Sequence, residues 1–463
     1  MHLDMTASTW LAFICATGLW AVSALLTCDP ASRQPWTWKA LPLSFLGLAW
    51  IFFGMTFVLR FLALIYDPEF FRTTQFPIWR ISADTLTWTW IWLTLYWLAF
   101  VGGHFIMTRL SPPRPVLLER LDLLNSLENL PILDLLVLTC SFLVILGERQ
   151  FVPQILRTPL GILGGFYIIA ASAIWFNYFQ GQPVGLRKFF YLFPGVLIYI
   201  FSPFRALVFS IVLSILIPAL KARKWFSLFT FVASMIVLLI VVTIVNDYRR
   251  AKMRAQISSR FDTTLTDEAL GWQDNPEDAP WIRLSKRFHG FDSMALTINF
   301  VPSVFPFSKI NIFTELVRRI IPRAVVDQKG DSHRGRDFST TIWAMGSRGV
   351  VRRSEANISP SMTADLYIIN GWPLVILGGL IYGLLVGLLE SWQRRGSPLS
   401  SCILLAVFGM PVVLGIEQEF NFASATIIQM IIGLFFLLFF LPLITSPNKK
   451  SCQLPGGKEQ VPL

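Results

Sequence analysis

IINGWPLVILGGLIYGLLVGLL, residues 368–389, runs without a charge between Asp365 and Glu390. A helix rises about 1.5 Å per residue, so such a stretch can cross a hydrocarbon core of about 30 Å. Outward from it, apolar blocks separated by charged punctuation recur along the chain. Of its 463 residues, 54% are apolar, 14% aromatic and only 14% charged, against roughly 25% charged in a soluble globular protein. This composition excludes an ordinary soluble enzyme and predicts a polytopic membrane protein. The net charge of +11 is then first a question of sidedness, and nucleic acid is not an expected partner.

Eleven candidate spans follow: Thr9 to Leu26, Leu41 to Ile65, Thr85 to Met107, Leu130 to Leu146, Leu160 to Phe179, Phe189 to Phe201, Phe204 to Leu220, Trp225 to Val245, Ile368 to Leu389, Leu399 to Ile416 and Thr426 to Leu443. Phe189 to Phe201 is the weakest, being short for a crossing. With the N-terminus outside, 15 cations fall on inward short loops and the C-terminal tail, and only Arg72, Arg80, Arg149 and Arg157 on outward short loops. That bias predicts an N-out, C-in topology. No basic region precedes the first apolar stretch, so a cleaved signal peptide is not expected.

The expected fold class is an all-α polytopic membrane protein with about eleven transmembrane helices (10 to 12). Residues 1–246 would form an N-terminal membrane bundle of about eight spans, and 247–366 an extracytoplasmic, mostly helical loop. Residues 367–445 would supply three C-terminal membrane helices, and 446–463 a cytoplasmic tail. The loop carries 18 Lys and Arg and 14 Asp and Glu, and its modest apolar content predicts that it leans on the bundle. None of Cys15, Cys28, Cys140, Cys402 and Cys452 lies in it, so no disulfide is expected there. No CxxC, HExxH, Walker A or GxGxxG pattern occurs, and neither a metal nor another cofactor is expected.

Within the loop, Leu284, Phe288, Phe291, Ala295 and Ile298 recur at helical spacing, with Arg283, Lys286, Arg287, His289 and Asp292 off that stripe. A second helix, with Ile310, Phe313, Val317, Ile320 and Ile321 on one side, carries Arg318 and Arg319 and stops at Pro322. Arg323, Lys329, His333, Arg334 and Arg336 follow, then Arg348, Arg352 and Arg353. An amphipathic helix followed by cations suits the headgroup level of a bilayer, where arginine forks can grip a lipid diphosphate. Local carboxylates or lipid phosphates would account for any one of these cations equally well. Arg205, in Ser202-Pro-Phe-Arg205, sits at the outer end of a helix pair, where an ionisable group is a functional candidate. Arg60, near the outer end of its span, could simply snorkel. Glu417 and Glu419 form an outer turn close to where the loop returns through Asp365 and Tyr367.

This order of features resembles the Wzy-type O-antigen and exopolysaccharide polymerases, within the wider polymerase and ligase superfamily of membrane glycosyltransferases of GT-C type. The likeness rests on the helix pair meeting at Ser-Pro-Phe-Arg205 and on the return segment Ser361-Met-Thr-Ala-Asp365-Leu-Tyr367-Ile-Ile-Asn370-Gly371-Trp-Pro. It is extended by the Gly-rich span from Ile376, by Arg287 with Asp292, and by Ile321-Pro-Arg323 with Lys329. It covers roughly residues 185 to 445. The resemblance implies polymerisation of polyprenyl-diphosphate-linked repeat units at the outer face of a bacterial inner membrane. Chain-length regulators and flippases would be its partners. Arginines would stabilise the diphosphate leaving group, and a carboxylate or imidazole would accept the acceptor's proton. The expected clamps are Arg205, Arg287 and Arg323, with Arg319 and Lys329 beside them, and the base is His289, Asp292 or Glu419. In the ligase branch a loop histidine, here His289 or His333, would serve, although neither lies in a clear ligase motif. A flippase for lipid-linked glycans and a non-enzymatic assembly protein are the competing readings. A flippase should carry its charges along a central cavity, whereas here they gather at one face.

Overall fold

The computed structural model describes residues 5–26, 43–66, 81–124, 167–182, 184–201, 205–221, 288–321, 338, 341–342 and 360–445. Among the described residues the fold is all-helical, with no strand. The helices are α1 (Ala7–Ser23), α2 (Phe45–Tyr66), α3 (Ala83–Leu110), α4 (Val116–Leu123), α5 (Tyr167–Phe179), α6 (Leu186–Phe201), α7 (Arg205–Lys221), α8 (Gly290–Phe300), α9 (Ile312–Ile320), α10 (Met362–Asn370), α11 (Trp372–Arg394), α12 (Pro398–Glu417) and α13 (Phe420–Thr445). Five of these, α2, α3, α11, α12 and α13, are long and apolar enough to cross a membrane, consistent with a multi-pass membrane protein. They match the second, third, ninth, tenth and eleventh expected spans. Those expected over Leu130 to Leu146 and Trp225 to Val245 lie outside the described residues. The weak candidate at Phe189 to Phe201 is a 16-residue helix from Leu186.

Helix starts follow from local chemistry. Ser44, Ser82, Ser361 and Ser397 each stand before a helix and accept a hydrogen bond from the backbone N–H three residues on, satisfying a donor that the first turn cannot pair internally. Pro398 occupies the first position of α12, where its missing N–H costs nothing.

The centre of the bundle is the contact between α3 and α11. A Cβ added at Gly379, Gly383 or Gly387 would lie 2.8, 2.0 or 2.7 Å from the carbonyl oxygens of Tyr96, Phe100 and His104. From the facing side, a Cβ at Gly103 would meet the Leu380 oxygen at 2.3 Å. Steps of four on one helix match steps of four on the other, so the two run parallel. In lipid no hydrophobic force drives helices together, and small residues that let backbones touch are what hold them. α1 also runs along α3, through Thr9 to the Ala83 oxygen (3.1 Å) and Trp97 to Ser23 (3.0 Å). α2 runs the opposite way to α1: Trp20 stacks on Trp50 at 4.2 Å between centroids, and Phe13 meets Phe61 at 4.9 Å. Its middle, Gly54–Leu59, is a π-helical turn.

The candidate span expected from Ile368 begins instead at Trp372. Gly371 adopts φ +70° and ψ −157°, a conformation open essentially to glycine alone, and it ends α10 by donating its N–H to the Tyr367 oxygen (2.8 Å). Phe307 lies where a side chain would project, 3.2 Å from an added Cβ.

Basic residues that the sequence assigns to one side knit the opposite end of the bundle. Arg395 donates to the oxygens of Ser111 (2.7 Å) and Pro112 (2.9 Å), and Arg120 to that of Leu438 (2.9 Å).

Candidate functional site

The polar side chains of interest gather at the Trp372 end, around α8, α9, α10 and the start of α13. α8 is not an amphipathic helix with an exposed polar face. Every side chain from Gly290 to Thr297 is buried, with Phe291 against Phe61 (4.9 Å) and Trp90 (5.2 Å). Gly290 sits against Thr56 and Phe57, where an added Cβ would fall 2.2 Å from the Thr56 methyl. The helix starts at Gly290, and Arg287 lies outside the described residues.

This burial brings Asp292 onto Arg60. Both side chains have no solvent exposure, and the Arg60 Nε lies 3.1 and 3.2 Å from the two carboxylate oxygens while Nη2 also donates to Oδ2. One expectation is corrected here. Arg60 does not snorkel to the surface, because its charge is met inside the bundle. Asp292, off the apolar stripe of its helix, is fully buried with it, because every residue from Gly290 to Thr297 is covered. Burial pushes the Asp292 carboxyl above the usual carboxylate range, and the Arg60 guanidinium opposes the rise. Such a pair has little net value over apolar side chains, but losing one partner leaves an uncompensated buried charge.

A second set of charges lies where α9 and α10 meet α13. Glu419, 6% exposed, accepts a 2.7 Å hydrogen bond from the Arg319 guanidinium of α9, and Glu315 stands 3.9 Å from the same guanidinium. Asp365 is fully buried and accepts from the Phe420 N–H at 3.1 Å. It is therefore positioned by capping α13, where the helix dipole favours a negative charge. Tyr367 is half-buried against Phe307, Asn370 is exposed, and Gly371 forms the bend described above. The Asp365–Phe420 contact thus brings the return segment to the start of α13 next to Glu419, and Arg319 meets Glu419 there. His289 is half-buried immediately before α8. Arg205 opens α7, but its side chain lies outside the described residues, as do Arg323 and Lys329. Among the described residues no group of His, Cys, Asp and Glu could hold a metal ion.

Among the described residues, sequence reasoning missed the buried carboxylates of Glu315 and Glu390. Glu390, 1% exposed, accepts from the N–H groups of Phe45 (2.9 Å) and Leu46 (3.2 Å) and stands 3.5 Å from the His104 Nε2. Gln393 donates to the Leu43 oxygen beside it (2.8 Å). The available signal for Glu390 was its position as the first charge after the apolar run of α11, since an ionisable group there needs a partner.

At the Trp372 end the structure sets a guanidinium on a buried carboxylate. A family model described as "Domain of unknown function (DUF8712)" matches residues 92–446, more than three-quarters of the chain. No curated protein and no solved structure matches it.

Proposed function

The chain belongs to the DUF8712 family, and from the site it carries we propose that it is a membrane glycosyltransferase. Its reaction would join polyprenyl-diphosphate-linked oligosaccharide repeat units into a surface polysaccharide. The observation that supports this most directly is the Arg319–Glu419 pair, set at one end of the helix bundle with its arginine carried by the amphipathic α9. A lipid-linked donor would present its diphosphate at such a level, and its own leaving group supplies the activation that a nucleotide sugar would otherwise bring.

In this reading the donor's diphosphate takes the Arg319 guanidinium from Glu419. The acceptor hydroxyl attacks the anomeric carbon, the bond from that carbon to the diphosphate oxygen breaks, and the electron pair leaves on the lipid diphosphate. The freed Glu419 carboxylate accepts the hydroxyl proton. Fixed cations aimed at the departing diphosphate stabilise the charge that develops there. Arg205, Arg287, Arg323 and Lys329 are the further cations assigned to that task. Asp292, committed to Arg60, has a positioning role for α8, and the base is Glu419 in preference to it. We place the Glu419 end at the outer face of a bacterial inner membrane, with the N-terminus outside and the C-terminus in the cytoplasm.

The test is glycan length in cells that depend on this chain. Glu419→Gln and Arg319→Lys should leave the protein inserted and abundant while long polysaccharide gives way to single-repeat products, by about 100-fold or more for the base variant. Unchanged chain length in both variants, at equal protein level, would overturn the assignment.

A further inference from the structure

α9 buries Ile312 and half-covers Leu316 and Ile320, but turns the rest of its apolar face away from the protein. Ile312 and Glu315 face inward and Arg319 is mostly covered, whereas Phe313 and Val317, four residues apart on one face, are 58% and 55% exposed. Ile310, just before the helix, is exposed as well. In water, apolar burial would favour covering Phe313 and Val317 as well.

The ends of α9 are closed within the protein. Asn311 Oδ1 accepts from the N–H groups of Phe313 (3.1 Å) and Thr314 (3.2 Å). At the other end the Gln429 side-chain amide donates to the Arg319 oxygen (2.8 Å) and reaches the Ile320 oxygen at 3.4 Å. Internal satisfaction of backbone groups is what hydrocarbon demands and water does not. Glu419 and Gln429 are ten residues apart, about 15 Å along a helix axis, so α9 lies beside the outer half of α13. Gln429 precedes Ile432 by three residues and Phe436 by seven, which puts all three on one face. Ile432, Phe436 and Phe439 are exposed there, on a helix long and apolar enough to cross a membrane. α9 covers the first part of that face, and its own apolar residues continue the surface. Lys309 and Arg318, both exposed, flank them, as cations flank helices that lie in a bilayer interface.

We propose that Ile310, Phe313 and Val317 form a bilayer contact. α9 lies at the boundary of headgroups and acyl chains in the leaflet at the Glu419 end, and its partner is phospholipid. This surface does not depend on the glycosyltransferase reading, so failure of one leaves the other standing.

The test places the photo-crosslinking residue 4-benzoylphenylalanine at position 313, at 317 and, for comparison, at 436, each in the full chain. The chains are reconstituted in nanodiscs of phosphatidylcholine and phosphatidylglycerol and illuminated. Lipid-mass adducts at 313 and 317, within about threefold of the yield at 436, are expected from an interfacial helix. Chain-to-chain crosslinks in place of lipid adducts, or no lipid adduct at either position while 436 reacts, would overturn the proposal. Both substituted side chains are more than half exposed, so the variants should fold.

Discussion

Arg60 and Asp292, 232 residues apart in the chain, form an ion pair with no solvent exposure on either side chain. It joins α8 of the long hydrophilic segment to the end of α2 that follows the π-helical turn. α8 is therefore anchored inside the helical bundle and does not only rest on it.

Removing either partner strands a charge. Arg60→Ala and Asp292→Ala are each expected to cost about 3–5 kcal/mol, whereas the double replacement Arg60→Met with Asp292→Leu should recover most of that loss. Thermal unfolding of purified protein in detergent, read as a double-mutant cycle, measures the coupling. Additive losses would show that the pair is not energetically coupled.

The contact between α3 and α11 depends on hydrogen in place of a methyl group. Gly383→Ala puts a Cβ 2.0 Å from a backbone oxygen, and backbone cannot yield as a flexible side chain does, so a loss of roughly 1–3 kcal/mol is expected. Gly102→Ala, on α3 with nothing within 4 Å of the added atom, should be neutral or stabilising by up to about 1 kcal/mol. The same unfolding measurement compares them. Equal effects would mean that helix propensity, not helix contact, governs the site.

Glu390 holds the start of α2 against the end of α11 through two backbone N–H groups. Glu390→Gln retains an acceptor of similar shape and should cost about 1–2 kcal/mol through lost charge at a helix N-terminus. Glu390→Ala leaves both donors without the carboxylate and should cost more, about 2–5 kcal/mol. Hydrogen exchange at Phe45 and Leu46 is the local readout. Protection that survives Glu390→Ala would contradict the capping role.

Much of the bundle is legible because lipid imposes a simple rule: a crossing helix must be long and apolar. Five described helices follow from that rule alone. Gly371 escaped it, since apolarity continues from Ile368 across the bend and only the positive φ reveals the break. Arg60 and Asp292 escaped it for a different reason. Each reads as an ordinary polar residue near a surface, and nothing in one dimension says that the other will come to meet it. For the candidate site, the proximity of Glu419 to Asp365 and Tyr367 was legible because short turns place them at one end. The pairing with Arg319 was not, because it depends on how α9 rolls on α13.

The sequence by itself determined the solvent: its apolar runs and low charge point to a helical, multi-pass membrane protein. The tertiary structure alone decided which charges are partners and which faces are covered. Periodicity gives α9 one apolar face, but whether that face meets protein or lipid depends on where Glu419 and Gln429 stand to receive its polar side. Hydrophobicity sets what must leave water, whereas specific hydrogen bonds and close backbone approach set which surfaces meet.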